Sequence, residues 1–412
     1  MVSGCKRARV WVGACVWLLS AMAHGVTQEI RAVYVPDPAN PQINTFINQT
    51  PPSGYCATFP NDCKPLSGVR LPLRFASVQA IVPGSPERNG AMFSMPAQWR
   101  SLVVSHVFTG EAATVEMRIG GFGSQYVLSD TAVNLTGESN DERAHEALWG
   151  GRSWWFVTPP CKGAAMFSYG PEFYRFFWRA QDVGTCARQA AFTIPWMSYG
   201  YLDVGYELRT PDPLQMSSGL YVGELRYSIG PGMDIDTGDN MLPDSAEVTF
   251  RFVLDVQHVL KVDLPPGGNK VELIPQGGWQ AWLQSGRRPE RLFRDQTFNI
   301  STSSRFRMSI ECEHAGIGGC SLRDAQSGSI FPQVNMSVSL PLSITDDKGQ
   351  PVQKRRLTET STDAVFQPAL YVDRAPGVLH FEVPSHYMEN MIEPDKAKRF
   401  AGKVTVIWDS EV

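Results

Sequence analysis

Between Ala246 and Pro266 the chain reads AEVTFRFVLDVQHVLKVDLPP, two apolar alternations that almost touch. Val248, Phe250, Phe252 and Leu254 alternate with Thr249, Arg251 and Val253, and a period of two places the first set on one face of a β-strand. His258, Leu260, Val262 and Leu264 then alternate with Val259, Lys261 and Asp263 until Pro265 and Pro266 end the run. Only Asp255, Val256 and Gln257 remain as a connector. We read them as a joint between two domains, which divides the chain into 24–254, a linker at 255–257, and 258–412.

The length allows this. At 412 residues the chain exceeds one ordinary sandwich, and usual domain sizes suggest two or three domains. Gly 36 and Pro 30, many short alternating apolar runs and hardly any period-3.6 segments predict an all-β fold of antiparallel strands. Lys+Arg 37 against Asp+Glu 41 gives a net charge of -4, too little positive field to attract a phosphate backbone, so no nucleic-acid partner is expected.

The first residues read as a signal peptide at 1–23. Lys6, Arg7 and Arg9 form a charged region, Val10 to Leu19 an apolar one, and Ala21-Met22-Ala23 a small-residue cleavage site, so the mature chain begins near His24. Lipidation at Cys15 is the weaker reading, because the apolar run before it is short and continues past it. Removing the signal takes Cys5 and Cys15 with it. The remaining cysteines fall into local pairs, Cys56 with Cys63, Cys161 with Cys186 and Cys312 with Cys320. Export and an even count predict disulfides, and nearest neighbours are favoured among the roughly fifteen connectivities open to six cysteines. Loop entropy would contribute about 2.5 kcal/mol for the shorter loops and about 3.5 kcal/mol for Cys161 to Cys186. Zinc would want closer C-x-x-C spacing.

After a proline-rich lead from Pro36 to Pro65, short apolar strands are expected at Val69 to Phe75, Val78 to Val82, Leu102 to Phe108 and Thr114 to Ile119. Gly120-Gly121-Phe122-Gly123 reads as a bulge or turn. Ser139 or Asn140 can cap a short helix through Leu148. Trp154-Trp155-Phe156 and Phe173-Tyr174-Arg175-Phe176-Phe177-Trp178-Arg179 form the densest aromatic stretch. Such residues fill sandwich cores, and interleaved with arginine they can also stack on sugars, so Arg175, Trp178 and Arg179 are the receptor-binding candidates. Leu220 to Ile229 is a further strand. Asp234, Asp236 and Asp239 lack calcium-loop spacing and read as a solvated acidic loop.

In the second part, strands are expected at Lys270 to Ile274, Phe306 to Cys312, Val334 to Thr345, Leu370 to Val372, Leu379 to Val383 and Gly402 to Trp408. Pro341 cannot donate a ladder bond and marks an edge or a switch between sheets. Nothing in the sequence assembles an enzyme. There is no H-E-x-x-H, G-x-S-x-G or P-loop, so no catalytic residue, metal or cofactor is expected. Carboxylates that a secreted glycan-active enzyme might pair cannot be brought together from sequence.

Taken together, the signal peptide, the cysteine pairs, the two β domains and the terminal strand resemble the tip adhesins and initiator subunits of alternate chaperone-usher fimbriae, the colonisation-factor and cable-pilus (CblD-like) group. Phe250 to Pro266 is similar to that family's joint between adhesin and pilin domains, and Ala401-Gly402-Lys403-Val404-Thr405-Val406 to its terminal G-x-[IV]-x-[IV] strand. Cys56/Cys63 and Cys161/Cys186 fit two loops of its adhesin half. The resemblance implies two immunoglobulin-like sandwiches in tandem, the second an incomplete pilin fold that needs a donor strand. It implies export to the cell surface and a place at the fimbrial tip. Its implied partners are a periplasmic chaperone, an outer-membrane usher, the major pilin subunit and a host surface receptor, a glycan on this reading. Val404, Val406 and Trp408 would share the strand face that partners recognise. In some colonisation-factor members basic residues near the end of the adhesin domain bind the receptor, whereas Ile229 to Asp234 here is acidic and lacks a paired arginine. A structural initiator without receptor binding is the alternative within the family.

Overall fold

The computed structural model describes residues 25–157, 159–286, 288–360, 364–393 and 398–410. The expected signal peptide and its cleavage site lie outside them. The fold is all-β, in curled sheets with few helices. Among the described residues, no strand up to Val256 pairs with a strand from Leu260 onward.

The first set of strands is organised by one long strand, Ala112–Leu128. Its first half pairs with Arg100–His106 and its second half with Phe173–Ala180 and Met197–Tyr199, while Leu202–Arg209 runs along the middle. One strand thereby serves two parts of a sheet that curls around a single aromatic core. The glycine cluster expected to be a turn lies inside it. A Cβ at Gly123 would sit 2.3 Å from the Phe176 carbonyl oxygen, and one at Gly121 would sit 2.8 Å from the Phe177 ring. Opposite them, a Cβ at Gly205 would meet Leu66 at 2.9 Å. These glycines therefore make a bare patch of sheet on which Phe177 and Leu66 lie flat. Tyr55 stacks on Phe177 at 4.6 Å, and the Cys56–Cys63 bridge closes this small satellite core.

Val26–Tyr34 runs parallel to Glu247–Val256, whose other edge carries Gly219–Ser228. The joint differs in detail from the sequence expectation. Asp255 and Val256 still belong to the ladder, paired with Leu220 and Gly219, so the residues between the two strands are Gln257 to Val259. The expected strand over Val78 to Val82 reduces to Phe75–Ser77 and a single bridge at Ile81. Val78 and Val82 are exposed, which removes the apolar face a strand there would need.

The helix Asp141–Leu148 begins where expected, with the Asn140 side chain accepting from the Arg143 amide. It buries Ala144, His145 and Leu148 over the aromatic core. His145 accepts or donates at both nitrogens, to the Tyr126 hydroxyl at 2.8 Å and the Gly170 carbonyl at 2.7 Å. Burial pushes its pKa down, so the ring is neutral at pH 7. Replacing Asn140 with alanine should cost about 1 kcal/mol, read as a loss of a few degrees in the melting temperature with the fold retained.

Beyond the joint, a nine-stranded sheet and a four-stranded sheet enclose a second core. The expected Val334 to Thr345 strand is two strands. Ile330–Ser339 lies in the larger sheet and Ile344–Asp346 in the smaller, and the chain crosses over at Leu340 to Ser343, with Leu342 exposed. Lys270 to Ile274 is not a strand beyond the short Ile274–Pro275 pairing. An unexpected helix, Gly278–Ser285, follows, bounded by Gly277 and Gly286 in left-handed conformation. Leu370 to Val383, expected as two strands, is mostly one, Val372–Val383.

Candidate functional site

The terminal strand Val404–Asp409 pairs antiparallel with Phe306–Cys312, from Val404 opposite Cys312 to Asp409 opposite Arg307. It is the last strand of the smaller sheet, and its other edge has no strand beside it among the described residues. Val404, Val406 and Trp408 turn toward the second core yet remain only partly buried. The Trp408 ring lies 5.0 Å from Phe298 of the larger sheet and 5.8 Å from Phe306 of its own, so it bridges the two layers.

A second edge lies across from it. Leu260–Asp263 ends the larger sheet, and among the described residues its one strand partner is Leu292–Thr302, the strand that carries Phe298. Leu260 and Val262 are also partly buried against the same core. Two sheet edges thus border one core, each without a neighbouring strand on its outer side among the described residues and each with partly buried apolar side chains. An unpaired edge is a template for another strand, and an apolar alternation sets that strand's register. Nearby, the Cys312–Cys320 bridge ties the strand beneath Val404 to its neighbour in the larger sheet.

The three receptor candidates fall on different faces of Phe173–Ala180. Tyr174, Phe176 and Trp178 point into the main core. Trp178 is fully buried, donates to the Trp154 carbonyl at 2.8 Å and stacks on that indole, so it presents nothing to a ligand. Arg175 and Arg179 share the opposite face with Phe177. Arg179 is spent on the carbonyls of Asp62 and Lys64, either side of Cys63 in the first disulfide. Arg175 sits over Tyr55 and Phe59, with Nη2 3.6 Å from Asp203, within ion-pair range but beyond a hydrogen bond. Exposed aromatics nearby in sequence are Trp155 and Phe156, 4.6 Å apart. The Cys161–Cys186 bridge ties the two segments that flank Phe173–Ala180.

Asp203 was not a sequence candidate, and it holds this region together. It is buried, takes Arg70 in a two-point ion pair at 2.7 and 3.0 Å and accepts from the Tyr55 amide at 2.9 Å. Arg70 in turn lies 3.5 Å over the Tyr201 ring.

The acidic loop is also different from its sequence reading. Arg88 grips both Asp236 and Asp239, and Arg100 pairs with Asp234. The cations come from strands and turns far upstream, so the loop is an ion-paired clasp and its carboxylates are not free. Among the described residues, no group of three or more His, Cys, Asp and Glu side chains is placed to hold a metal. The Arg100 pair holds Asp234 down to about 2, from 3.8, ahead of the opposing cost of burial. This depressed carboxylate contributes about 2 kcal/mol above pH 4. The contribution is lost as the pH falls from about 4 through 2. Asp234→Asn should therefore destabilise the chain by about that amount at pH 7 and by almost nothing near pH 2, measured by denaturant unfolding at both pH values.

No protein-family model matches the sequence, and no curated protein matches it. Among solved structures it is similar to the chaperone–tip adhesin complex of CFA/I fimbriae, at 10% identity over 94% of this chain and 97% of that one, with a TM-score of 0.23. It is likewise similar to the adhesin CfaE of CFA/I from enterotoxigenic E. coli, at 9% identity over 94% and 95%, TM-score 0.23. A third is the CsuC–CsuE chaperone–tip adhesion subunit pre-assembly complex of the archaic Csu pili of Acinetobacter baumannii, at 11% identity over 93% and 97%, TM-score 0.21. Superpositions this loose define no shared site, and the assignment below rests on the chain's own strands.

Proposed function

We propose that the chain is a fimbrial tip adhesin and assembly initiator of the chaperone-usher kind. In this reading residues 258–412 form a pilin domain that lacks one strand. A periplasmic chaperone first adds a strand along Val404–Asp409, and a donor strand from the major pilin later fills the seam. Residues 24–254 form the adhesin domain, joined by the short linker, and the chain is exported through an outer-membrane usher to the cell surface. The seam itself supports this: among the described residues two sheet edges without a neighbouring strand face one core, with Leu260, Val262, Val404, Val406 and Trp408 only partly buried.

Such a subunit accepts a strand and has none to pass on, because a whole domain precedes its pilin fold. The fibre tip is the place that follows. Co-expression with a periplasmic chaperone tests this: an equimolar complex held through the terminal strand is expected, and a stable, soluble monomer formed without any chaperone would refute it.

Trp178 is withdrawn into the core and Arg179 is occupied internally, which favours the second reading, a structural initiator without receptor binding. Against it stand the exposed Trp155 and Phe156, a surface on which a sugar ring can stack. Glycan arrays and host-cell binding separate the two. Binding that is lost in Trp155→Ala, with the melting temperature unchanged, supports an adhesin; no binding by the native chain supports the structural role.

A further inference from the structure

His258 stands at the joint, between the end of Glu247–Val256 and the start of Leu260–Asp263. One ring nitrogen, Nε2, is 2.8 Å from the Met216 carbonyl in the first set of strands. The other, Nδ1, is 3.0 Å from the Ser303 hydroxyl in the second. Tyr34, from the first strand of the chain, meets the ring edge-on at 5.7 Å. A single side chain therefore ties the two halves.

The partners fix the proton. A carbonyl only accepts, so Nε2 carries the hydrogen, and Nδ1 is left as the acceptor of the Ser303 hydroxyl. That same Ser303 oxygen accepts from the Val259 amide at 3.0 Å, which orients it to donate to the ring. Protonating Nδ1 reverses that bond, so the Ser303 hydroxyl must rotate to accept from the ring, and it places a positive charge in the closed joint between the two halves. Across the same joint the Tyr34 hydroxyl also engages Ser303, and the exposed Gln367 amide donates to Gln215 at 3.2 Å.

We infer that His258 is a proton-operated latch, locking the angle between the two halves when neutral and releasing it when protonated. This holds whether or not the proposed function stands. The charged and titratable groups that face it are Glu111 and Arg305, which line the adjoining cavity of about 220 Å³, together with Asp212 and Tyr371, which act on Tyr34. Burial lowers the His258 pKa below 6.5, ahead of the opposing effects of the Met216 and Pro213 carbonyls and the Glu111 charge. A base with a lowered folded pKa stabilises the closed joint fully above its unfolded value. That stabilisation is lost progressively as the pH falls below 6.5.

The test is the distribution of distances between spin labels at Ala80 and Lys348, both exposed, in the full chain. A single narrow distribution at about pH 8 that broadens by about pH 5, either side of the usual histidine range, is expected. His258→Gln keeps an uncharged donor for the Met216 carbonyl and should stay narrow at both. A native chain with no pH response, or a His258→Gln chain that broadens as the native one does, overturns the latch and assigns the joint's behaviour to other groups.

Discussion

A chain with an extra β-strand fused beyond its terminal strand, through a flexible linker and alternating valine with threonine, should melt its second half roughly 10–20 °C higher than the native chain. The figure follows from the seam. Leu260, Val262, Val404, Val406 and Trp408 are partly buried already. Covering the remainder is worth roughly 1 kcal/mol for each, about 5 kcal/mol together, and a unit of this size gains about 2–4 °C per kcal/mol. New main-chain bonds along Val404–Asp409 and Leu260–Asp263 add register and little net energy, since both edges are already hydrated. Calorimetry of the fused chain checks the shift. A fused strand with lysine in place of valine should give none, because its side chains cannot enter the seam. An unchanged melting temperature with the valine strand would mean that the seam is already closed.

Replacing Asp203 with alanine should be the most damaging single change in the first half. Its carboxylate is 2% exposed and faces two guanidiniums, Arg70 and Arg175. Alanine leaves both without a counter-charge and deprives the Tyr55 amide of its acceptor. Breaking a buried pair in this way costs about 3–5 kcal/mol. Arg70 is 37% exposed, so water screens part of the loss and the lower end is expected. The melting temperature of the first half should then fall by roughly 6–12 °C. The satellite core over Phe177 would loosen first, because the Tyr55 backbone is held by Asp203. Proteolysis near the Cys56–Cys63 loop reads that directly. Asparagine, which still accepts from the Tyr55 amide, should recover part of the difference.

These two sites differ in how far the sequence announced them. The alternation of Val404, Val406 and Trp408 is visible in any reading of the terminal segment. Their half-exposure is not, because it depends on which strand fails to lie beside them. Asp203 gives no local sign at all: its partners Arg70 and Arg175 lie 133 residues before it and 28 residues before it in sequence. The acidic loop misleads for the same reason, since Arg88 and Arg100 reach Asp234, Asp236 and Asp239 from more than a hundred residues upstream. Gly120 to Gly123 illustrates the converse. Glycines in a strand pattern suggest a turn when only neighbours are considered, yet here the cause is Phe177 and Leu66 lying across the sheet. The helix Gly278–Ser285 was hidden because its apolar residues, Trp279, Trp282 and Leu283, sit in a stretch with no charged residue to mark a polar face. The FYRFFWRA strand was legible only in part, since Trp178 was grouped with Arg175 and Arg179 as a receptor candidate although it lies on the opposite, buried face. Its alternation sends Tyr174, Phe176 and Trp178 inward, and its large odd member, Phe177, has a core of its own.

A donor strand can add to Val404–Asp409 only if the outer side of that strand is open. Amide hydrogen exchange across that strand, compared between the native full chain and the chain with the fused valine–threonine strand, measures this most directly. Fast exchange along one side of the strand in the native chain, slowed strongly by the fusion, is the predicted result. Amides in the native chain already as protected as those of Ala112–Leu128, and unchanged by the fusion, would contradict it.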